Sequence, residues 1–141
     1  MNYGRLAAAA VAATVADAVY GFLVYGTLLA GDFARYPAVF RSSDDGQAYL
    51  PLMFVCLLVA ITAAAVIYAK GYEGGSGASE GARFGVLAGV LVTCVFSGVS
   101  YAILNIGRRL ALYMAAAGFF EWAMIGLVIG LVYKPLAASK K

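Results

Sequence analysis

Two carboxylic acids stand alone inside long apolar stretches of the chain. Of the 10 basic and 7 acidic residues, Asp17 and Glu121 are the two that fall well inside such a stretch. No Lys or Arg shares these stretches, and the chain contains no histidine. A carboxyl group without a basic neighbour can hold a proton, bind a cation or bond to a second carboxyl. Asp17 and Glu121 are therefore the candidate site.

Four apolar runs position the two acids. They cover residues 6–31, 50–69, 84–107 and 110–133. A run of about 20 residues crosses a hydrocarbon layer of about 30 Å as a helix. Hydrophobic residues make up 64% of the chain and charged residues 12%, which excludes a soluble globular domain. Because backbone groups in lipid must bond within their own segment, we predict an all-α fold. Residues 1–141 form a single membrane domain, an up-down-up-down four-helix bundle.

The two acids are expected to meet inside the bundle. Asp17 and Glu121 both lie near the midpoints of their runs, and the first and fourth helices of such a bundle are neighbours. Without a basic partner, at least one of them should be protonated at neutral pH. Thr14 and Tyr20 lie about one turn from Asp17 and are the predicted hydrogen-bond donors to it. Three roles stay open: a lock between two helices, a site for a proton or lipophilic cation, and a contact with a partner helix or bound cofactor.

Small and hydroxylated residues form a stripe along the third predicted helix. They recur every four residues, as Gly85, Gly89, Thr93, Ser97, Tyr101 and Asn105. The fourth helix has a row of its own, made of Gly118, Trp122, Gly126 and Gly130. Such rows let helix backbones approach closely, so we interpret them as packing faces. The alternative is a ligand groove lined by Thr93, Ser97, Tyr101 and Trp122.

The three connections differ in composition. The first, DFARYPAVFRSSDDGQAY, carries an aromatic cluster suited to the headgroup region: Phe33, Tyr36, Phe40 and Tyr49. The second, KGYEGGSGASEGAR, is rich in glycine and is predicted to be a flexible cytoplasmic turn. The third is tight, with Gly107 predicted as a left-handed helix cap. Lys134 and Pro135 are predicted to end the fourth helix.

The basic residues favour an orientation with both termini in the cytoplasm. Six lie on the side of the termini, Arg5, Lys70, Arg83, Lys134, Lys140 and Lys141, against Arg35, Arg41, Arg108 and Arg109 on the other. Cations scattered at helix ends suit lipid headgroups and argue against nucleic-acid binding. A signal peptide cleaved at 14–16 is the alternative, but it would leave 17–31, which is too short to span. We therefore expect a retained first helix.

The residues that most catalysts and cofactor sites require are missing from the sequence. Cys56 and Cys94 lie in different runs and are interpreted as small apolar packing residues. Without histidine or clustered carboxylates at a membrane surface, zinc, haem and di-iron centres lack ligands, so no metal and no cofactor is expected. The serines have no base to activate them. The sequence therefore predicts a protein that is not an enzyme.

Three stretches of the chain resemble a known group of membrane proteins. LVYGTLLAGDF, GYEGGSGASEGARFGVLAGVL and EWAMIGLVIGLVYKP are similar to segments of small four-span bacterial inner-membrane proteins grouped under a domain of unknown function. The resemblance implies a bacterial inner (plasma) membrane and four helices, and it implies no activity. Asp17 also resembles the acid midway along the first helix of small multidrug resistance transporters. The long first connection and Glu121 depart from that second family.

The leading hypothesis for function is association. Small-residue helix faces without catalytic groups predict an accessory subunit of a larger membrane assembly or a homo-oligomer, surrounded by lipid. The first alternative is a proton-coupled carrier of small lipophilic cations that uses Asp17 and Glu121. The second is a binder of a lipid, quinone or pigment.

Overall fold

The computed structural model describes residues 1–133, with only the backbone described at Ser43. Its four long helices are Tyr3–Leu28, Leu50–Gly71, Gly77–Ile103 and Arg108–Val132, each long and apolar enough to cross a membrane. No strand occurs among the described residues. The prediction of an all-α protein with four helices of membrane length is confirmed, and the up-down-up-down order stays a prediction. The predicted helix stop at Lys134 and Pro135 lies outside the described residues, as do Lys140 and Lys141.

Local sequence signals set the helix ends. The side-chain oxygen of Asn2 caps the first helix by accepting a hydrogen bond from the backbone N–H of Arg5 at 3.1 Å. Pro51 lies in the first turn of the second helix, where its missing N–H costs little. Inside the first and third helices, Val24–Leu28 and Thr93–Gly98 wind as π-helix. Their wider turns shift the residues that follow out of α-helical register.

Glycines bring the third and fourth helices into direct backbone contact. A Cβ added at Gly81 would lie 2.6 Å from the carbonyl oxygen of Gly126, and one added at Gly89 would lie 2.8 Å from that of Phe119. A Cβ at Gly126 would also collide with the backbone of Gly85. Rising residue numbers on the third helix meet falling numbers on the fourth, so this pair is antiparallel. We call this contact between the third and fourth helices the glycine seam. It is formed by the small-residue rows of the two helices, which pack against each other within the chain.

The glycine-rich second connection is shorter than the sequence suggested. A flexible turn was expected over 70–83, whereas the second helix continues to Gly71 and the third begins at Gly77. Gly77 and Gly81 extend the four-residue spacing of the glycine seam. At Gly77 the carbonyl oxygen of Gly130 leaves no room for a side chain. Glycine is needed here so that the two helices can pack closely. Composition alone does not distinguish such a packing glycine from a glycine in a flexible linker.

The turn that remains between the second and third helices is organised by Glu80. Its carboxylate accepts hydrogen bonds from the backbone N–H groups of Glu73, at 3.1 Å, and of Gly75. The Tyr72 hydroxyl donates to the Gly75 carbonyl oxygen at 2.7 Å. Gly74 has a φ of 94°, a left-handed conformation that side chains disfavour. The connection is therefore a turn of defined conformation, fixed by these hydrogen bonds and by Gly74.

The largest apolar core lies at one end of the bundle. It joins the start of the first helix to the ends of the second and fourth through Leu6, Ala9, Ala10, Ala13, Ile61, Ala64, Ala65, Tyr68, Ile125, Ile129 and Tyr133. All buried residues of the second helix come from its second half. In its first half, Leu52 and Val59 are 61% and 64% exposed. The second helix is therefore packed at one end and leaves space between the helices at the other.

The first connection folds over the turn between the third and fourth helices. Four of its residues pack against the start of the fourth helix: Phe33, Tyr36, Val39 and Phe40. The backbone N–H of Gly107 donates to the Tyr36 hydroxyl oxygen at 3.0 Å. Gly107 has a φ of −73° and caps the fourth helix in an extended conformation, so the prediction of a left-handed cap was wrong. Its missing Cβ makes room for Tyr36 instead. Tyr49 lies apart, with the Arg41 guanidinium 3.8 Å from its ring centre.

Candidate functional site

The structure brings the two intramembrane acids together. Asp17 comes from the middle of the first helix and Glu121 from the middle of the fourth, and their carboxyl groups lie against each other at the same cavity. Asp17 is 2% exposed, whereas Glu121 is partly exposed. A hydrogen bond between two carboxyl groups requires a proton on one of them. The geometry therefore fits a pair that holds a proton.

Tyr25 supports one member of the pair. Its hydroxyl donates a hydrogen bond to Glu121 Oε2 at 2.9 Å. Tyr25 lies in the π-helical turn Val24–Leu28, so its position depends on a local widening of the helix. The ordinary spacing rules that single out Tyr20 give no sign of this contact. The candidate site therefore gains a residue that α-helical spacing does not reveal.

Neither predicted donor gives its proton to Asp17. The Thr14 hydroxyl donates to the carbonyl oxygen of Ala10 at 2.9 Å, the back-bond that Ser and Thr commonly make within a helix. The Tyr20 hydroxyl donates to the carbonyl oxygen of Ala117 at 2.9 Å, because its long side chain reaches the fourth helix. Each hydroxyl carries a single proton. Asp17 Oδ1 is consequently buried without a hydrogen-bond partner among the described residues.

A cavity of about 670 Å³ opens beside the acid pair. Asp17, Tyr25 and Glu121 form its polar end. The first three long helices contribute the apolar residues of its wall, including Phe22, Leu50, Met53, Phe54, Leu57 and Phe96, and the fourth contributes Glu121. It occupies the space left where the second helix separates from the bundle. This acid cavity is the feature that can hold a ligand next to the carboxyl groups.

The residues predicted to line a ligand groove do not line the acid cavity. Ser97 is 4% exposed, and the Thr93 hydroxyl donates to the carbonyl oxygen of Ala115 on the fourth helix at 3.3 Å. Trp122 packs against the apolar core, while Tyr101 is 49% exposed on the outside. The prediction treated this stripe as one continuous α-helical face. The π-helical turn within it divides the stripe between a buried and an outer face.

The cysteines lie away from the acid cavity. Cys56 and Cys94 are both exposed on helix surfaces. Both are free thiols, so they form no disulfide, and their exposed positions show that they do not pack against other helices of the described chain. Among residues 1–133, no group of three or more His, Cys, Asp or Glu side chains could hold a metal ion.

Comparison of the chain with protein-family models, with curated proteins and with solved structures finds no match. The resemblance to small four-span bacterial membrane proteins therefore stays a prediction. The four long apolar helices identify a multi-pass membrane protein by their length and composition.

Proposed function

We propose that this protein is a non-enzymatic membrane carrier that binds small lipophilic monocations in the acid cavity and exchanges them for a proton. The observation that carries the proposal is a carboxyl pair at an apolar cavity, with no basic partner in the part of the chain that the structure describes. Such a site suits a ligand with one positive charge and an apolar body. The established part is the multi-pass membrane architecture, and the exchange reaction is the proposal.

Electrostatics favour one proton or one cation at the pair. Two ionised carboxylates in contact away from bulk water repel each other strongly. The titratable groups that face them are Tyr20 and Tyr25 on the first helix, and the second and third helices contribute apolar side chains to the cavity wall. Among residues 1–133, no Lys or Arg side chain forms an ion pair with either acid, so none offsets the charge. A monovalent ligand that displaces a proton leaves the net charge of the site unchanged.

The size and lining of the acid cavity also suit a lipophilic cation. A volume of about 670 Å³ lies within the roughly 300–1,000 Å³ usual for small-molecule sites. Phe22, Phe54 and Phe96 bring aromatic rings from three different helices to its wall. Aromatic faces attract cations and also cover apolar surface. A flat or ring-bearing cation would use both interactions.

The membrane and orientation are part of the proposal. The resemblance described above implies a bacterial inner (plasma) membrane, and the distribution of Lys and Arg favours both termini in the cytoplasm. Arg5, Lys70 and Arg83 would then face the cytoplasm, and Arg35 and Arg41 the opposite side. Because the acid cavity reaches the level of Leu50, at the start of the second helix, it would extend toward the non-cytoplasmic side.

Association with other membrane subunits, or with a second copy, is the competing proposal. The sequence feature that favours association is the pair of small-residue faces on the third and fourth helices. The glycine seam uses those faces within the chain, so they give less reason to expect a partner. What remains is the exposed apolar surface of the second and third helices, which membrane lipid covers equally well.

Equilibrium binding to the purified protein in lipid nanodiscs tests the proposed function. The probes are lipophilic monocations, both protonated amines and quaternary ammonium compounds, at about pH 6 and about pH 8, where alkylamines stay charged. We expect tighter binding at the higher pH because fewer protons compete. Asp17→Asn should weaken binding about tenfold or more through loss of a charged contact.

Asp44→Asn is the matched control, because it removes the same charge from an exposed carboxyl outside the bundle. It should leave affinity and pH dependence unchanged. Binding that ignores both pH and Asp17→Asn would overturn the proposal. If mass spectrometry of the purified protein instead finds a retained neutral lipid, quinone or pigment that these cations do not displace, the binder alternative replaces it.

A further inference from the structure

We propose that the ligand of the acid cavity is a protonated amine whose N–H group donates a hydrogen bond to Asp17. This inference rests on the proposed function and narrows its ligand class. It separates protonated amines from quaternary ammonium and phosphonium cations, which carry the same charge without a donor. The distinction follows from an asymmetry between the two carboxyl groups.

Glu121 and Asp17 differ in their hydrogen-bond partners. Glu121 Oε2 accepts a hydrogen bond from the Tyr25 hydroxyl. Asp17 Oδ1 is buried and receives no hydrogen bond from the described residues. The hydroxyls nearest to Asp17 along its helix are those of Thr14 and Tyr20, and both donate to backbone carbonyl oxygens. Apart from the proton that the two acids share in the empty site, the described residues therefore supply a donor to Glu121 and none to Asp17 Oδ1.

A buried oxygen without a donor loses the hydrogen bonds that it would make in water. A ligand that brings an N–H group restores one of them, and the bond is stronger because both partners are charged. A quaternary cation restores only the charge balance, because it has no N–H group to donate. The site should consequently bind a cation with an N–H donor more tightly. The preference between the two cation classes depends on Asp17.

Access to Asp17 requires a small rotation. Asp17 lines the acid cavity beside Glu121, but its Oδ1 is covered by the surrounding protein. The terminal torsion of an Asp side chain is broad and roughly two-fold, so the carboxyl turns at little cost. When the shared proton leaves, the bond to Glu121 is lost and an Asp17 oxygen can turn toward the ligand. Tyr25 keeps Glu121 in place during the exchange.

The roles of the three residues follow. Asp17 contacts the ligand directly. Glu121 is the partner that shares the proton with Asp17 in the empty site, and Tyr25 is a positioning residue that acts through Glu121. Removing the Tyr25 hydroxyl should therefore weaken the binding of amines and of quaternary cations by the same factor. Substitutions at Asp17 should weaken the binding of amines more than that of quaternary cations.

A pair of matched ligands tests the inference on the unmodified protein. One ligand is a tertiary aryl-alkylamine, protonated at about pH 7, and the other is the same molecule methylated at nitrogen. We expect the amine to bind about tenfold or more tightly than its quaternary counterpart. Added methyl groups increase apolar surface, so hydrophobicity alone would favour the quaternary compound.

Variants then assign the preference to Asp17. In Asp17→Asn the ratio of the two affinities should fall toward one, and in Asp44→Asn it should stay as in the unmodified protein. Equal or tighter binding of the quaternary compound by the unmodified protein overturns the inference while leaving the proposed function intact. If neither ligand class binds at all, the proposed function fails, and this inference fails with it.

Discussion

Alanine at Gly81 should destabilise the protein, because the glycine seam has no room for a methyl group. A Cβ there would lie 2.6 Å from the carbonyl oxygen of Gly126 and 2.8 Å from the Cα of Gly130, both backbone atoms of the fourth helix. A flexible side chain could move aside, whereas a packed helix backbone moves only as a unit. The third and fourth helices must therefore separate, at the cost of the dispersion contacts that hold them in lipid.

Gly4→Ala is the control that isolates the steric cost of the Gly81→Ala substitution. Gly4 lies near the start of the first helix, and a Cβ there would have its nearest neighbour, Asn2 Oδ1, at 3.8 Å. Both substitutions gain helix propensity, worth up to about 1 kcal/mol. The difference between the two variants then reports the steric cost, which overpacking data place at about 1–3 kcal/mol. Reversible unfolding of the purified protein by detergent denaturation measures both. If Gly81→Ala is as stable as Gly4→Ala, the close helix approach at the seam is refuted.

Three further predictions concern hydrogen bonds seen in the structure. Tyr36→Phe removes the acceptor of the Gly107 N–H and should cost about 1–3 kcal/mol, visible as a lower melting temperature; an unchanged value would mean that water replaces the hydroxyl. Glu80→Ala removes the acceptor for two backbone N–H groups, so amide hydrogen exchange over 72–76 should accelerate, and unchanged exchange would contradict the role of this side chain. Tyr25→Phe should weaken cation binding a few-fold with little loss of stability, and unchanged affinity would remove Tyr25 from the site.

Much of the architecture could be predicted from the sequence, because apolar length and isolated charge are strong signals in lipid. Four runs long enough to cross a membrane predict four helices, and the helices appear with ends shifted by up to seven residues, most at the start of the third helix, Gly77. Asp17 and Glu121 could be paired from depth alone, since an uncompensated carboxyl must face the bundle interior. The structure brings these two side chains into contact.

The details of the site depend on features that composition does not show. The π-helical turn at Val24–Leu28 carries Tyr25, the donor to Glu121, and α-helical spacing does not predict such a turn. A second one divides the predicted groove stripe. The glycines at the start of the third helix were interpreted as a linker because composition suggests flexibility. Their four-residue spacing, which continues to Gly89, was the available signal for close packing.

The acid cavity itself could not be derived from helix patterns. It exists because the second helix is buried only in its second half, and its first half carries equally apolar residues on every face. In lipid, apolar side chains do not distinguish a packed face from an outer one. The angle between the helices therefore comes from packing at the Tyr68 end, where the core residues are concentrated.

Infrared difference spectroscopy of the protein with and without a bound amine tests the central claim most directly. If a monocation displaces a proton shared by Asp17 and Glu121, ligand addition should remove a carbonyl stretch of a protonated carboxyl and add carboxylate bands. The change should be lost in Glu121→Gln and retained in Asp44→Asn. Saturating ligand that binds without altering any protonated-carboxyl band would contradict proton exchange at this pair.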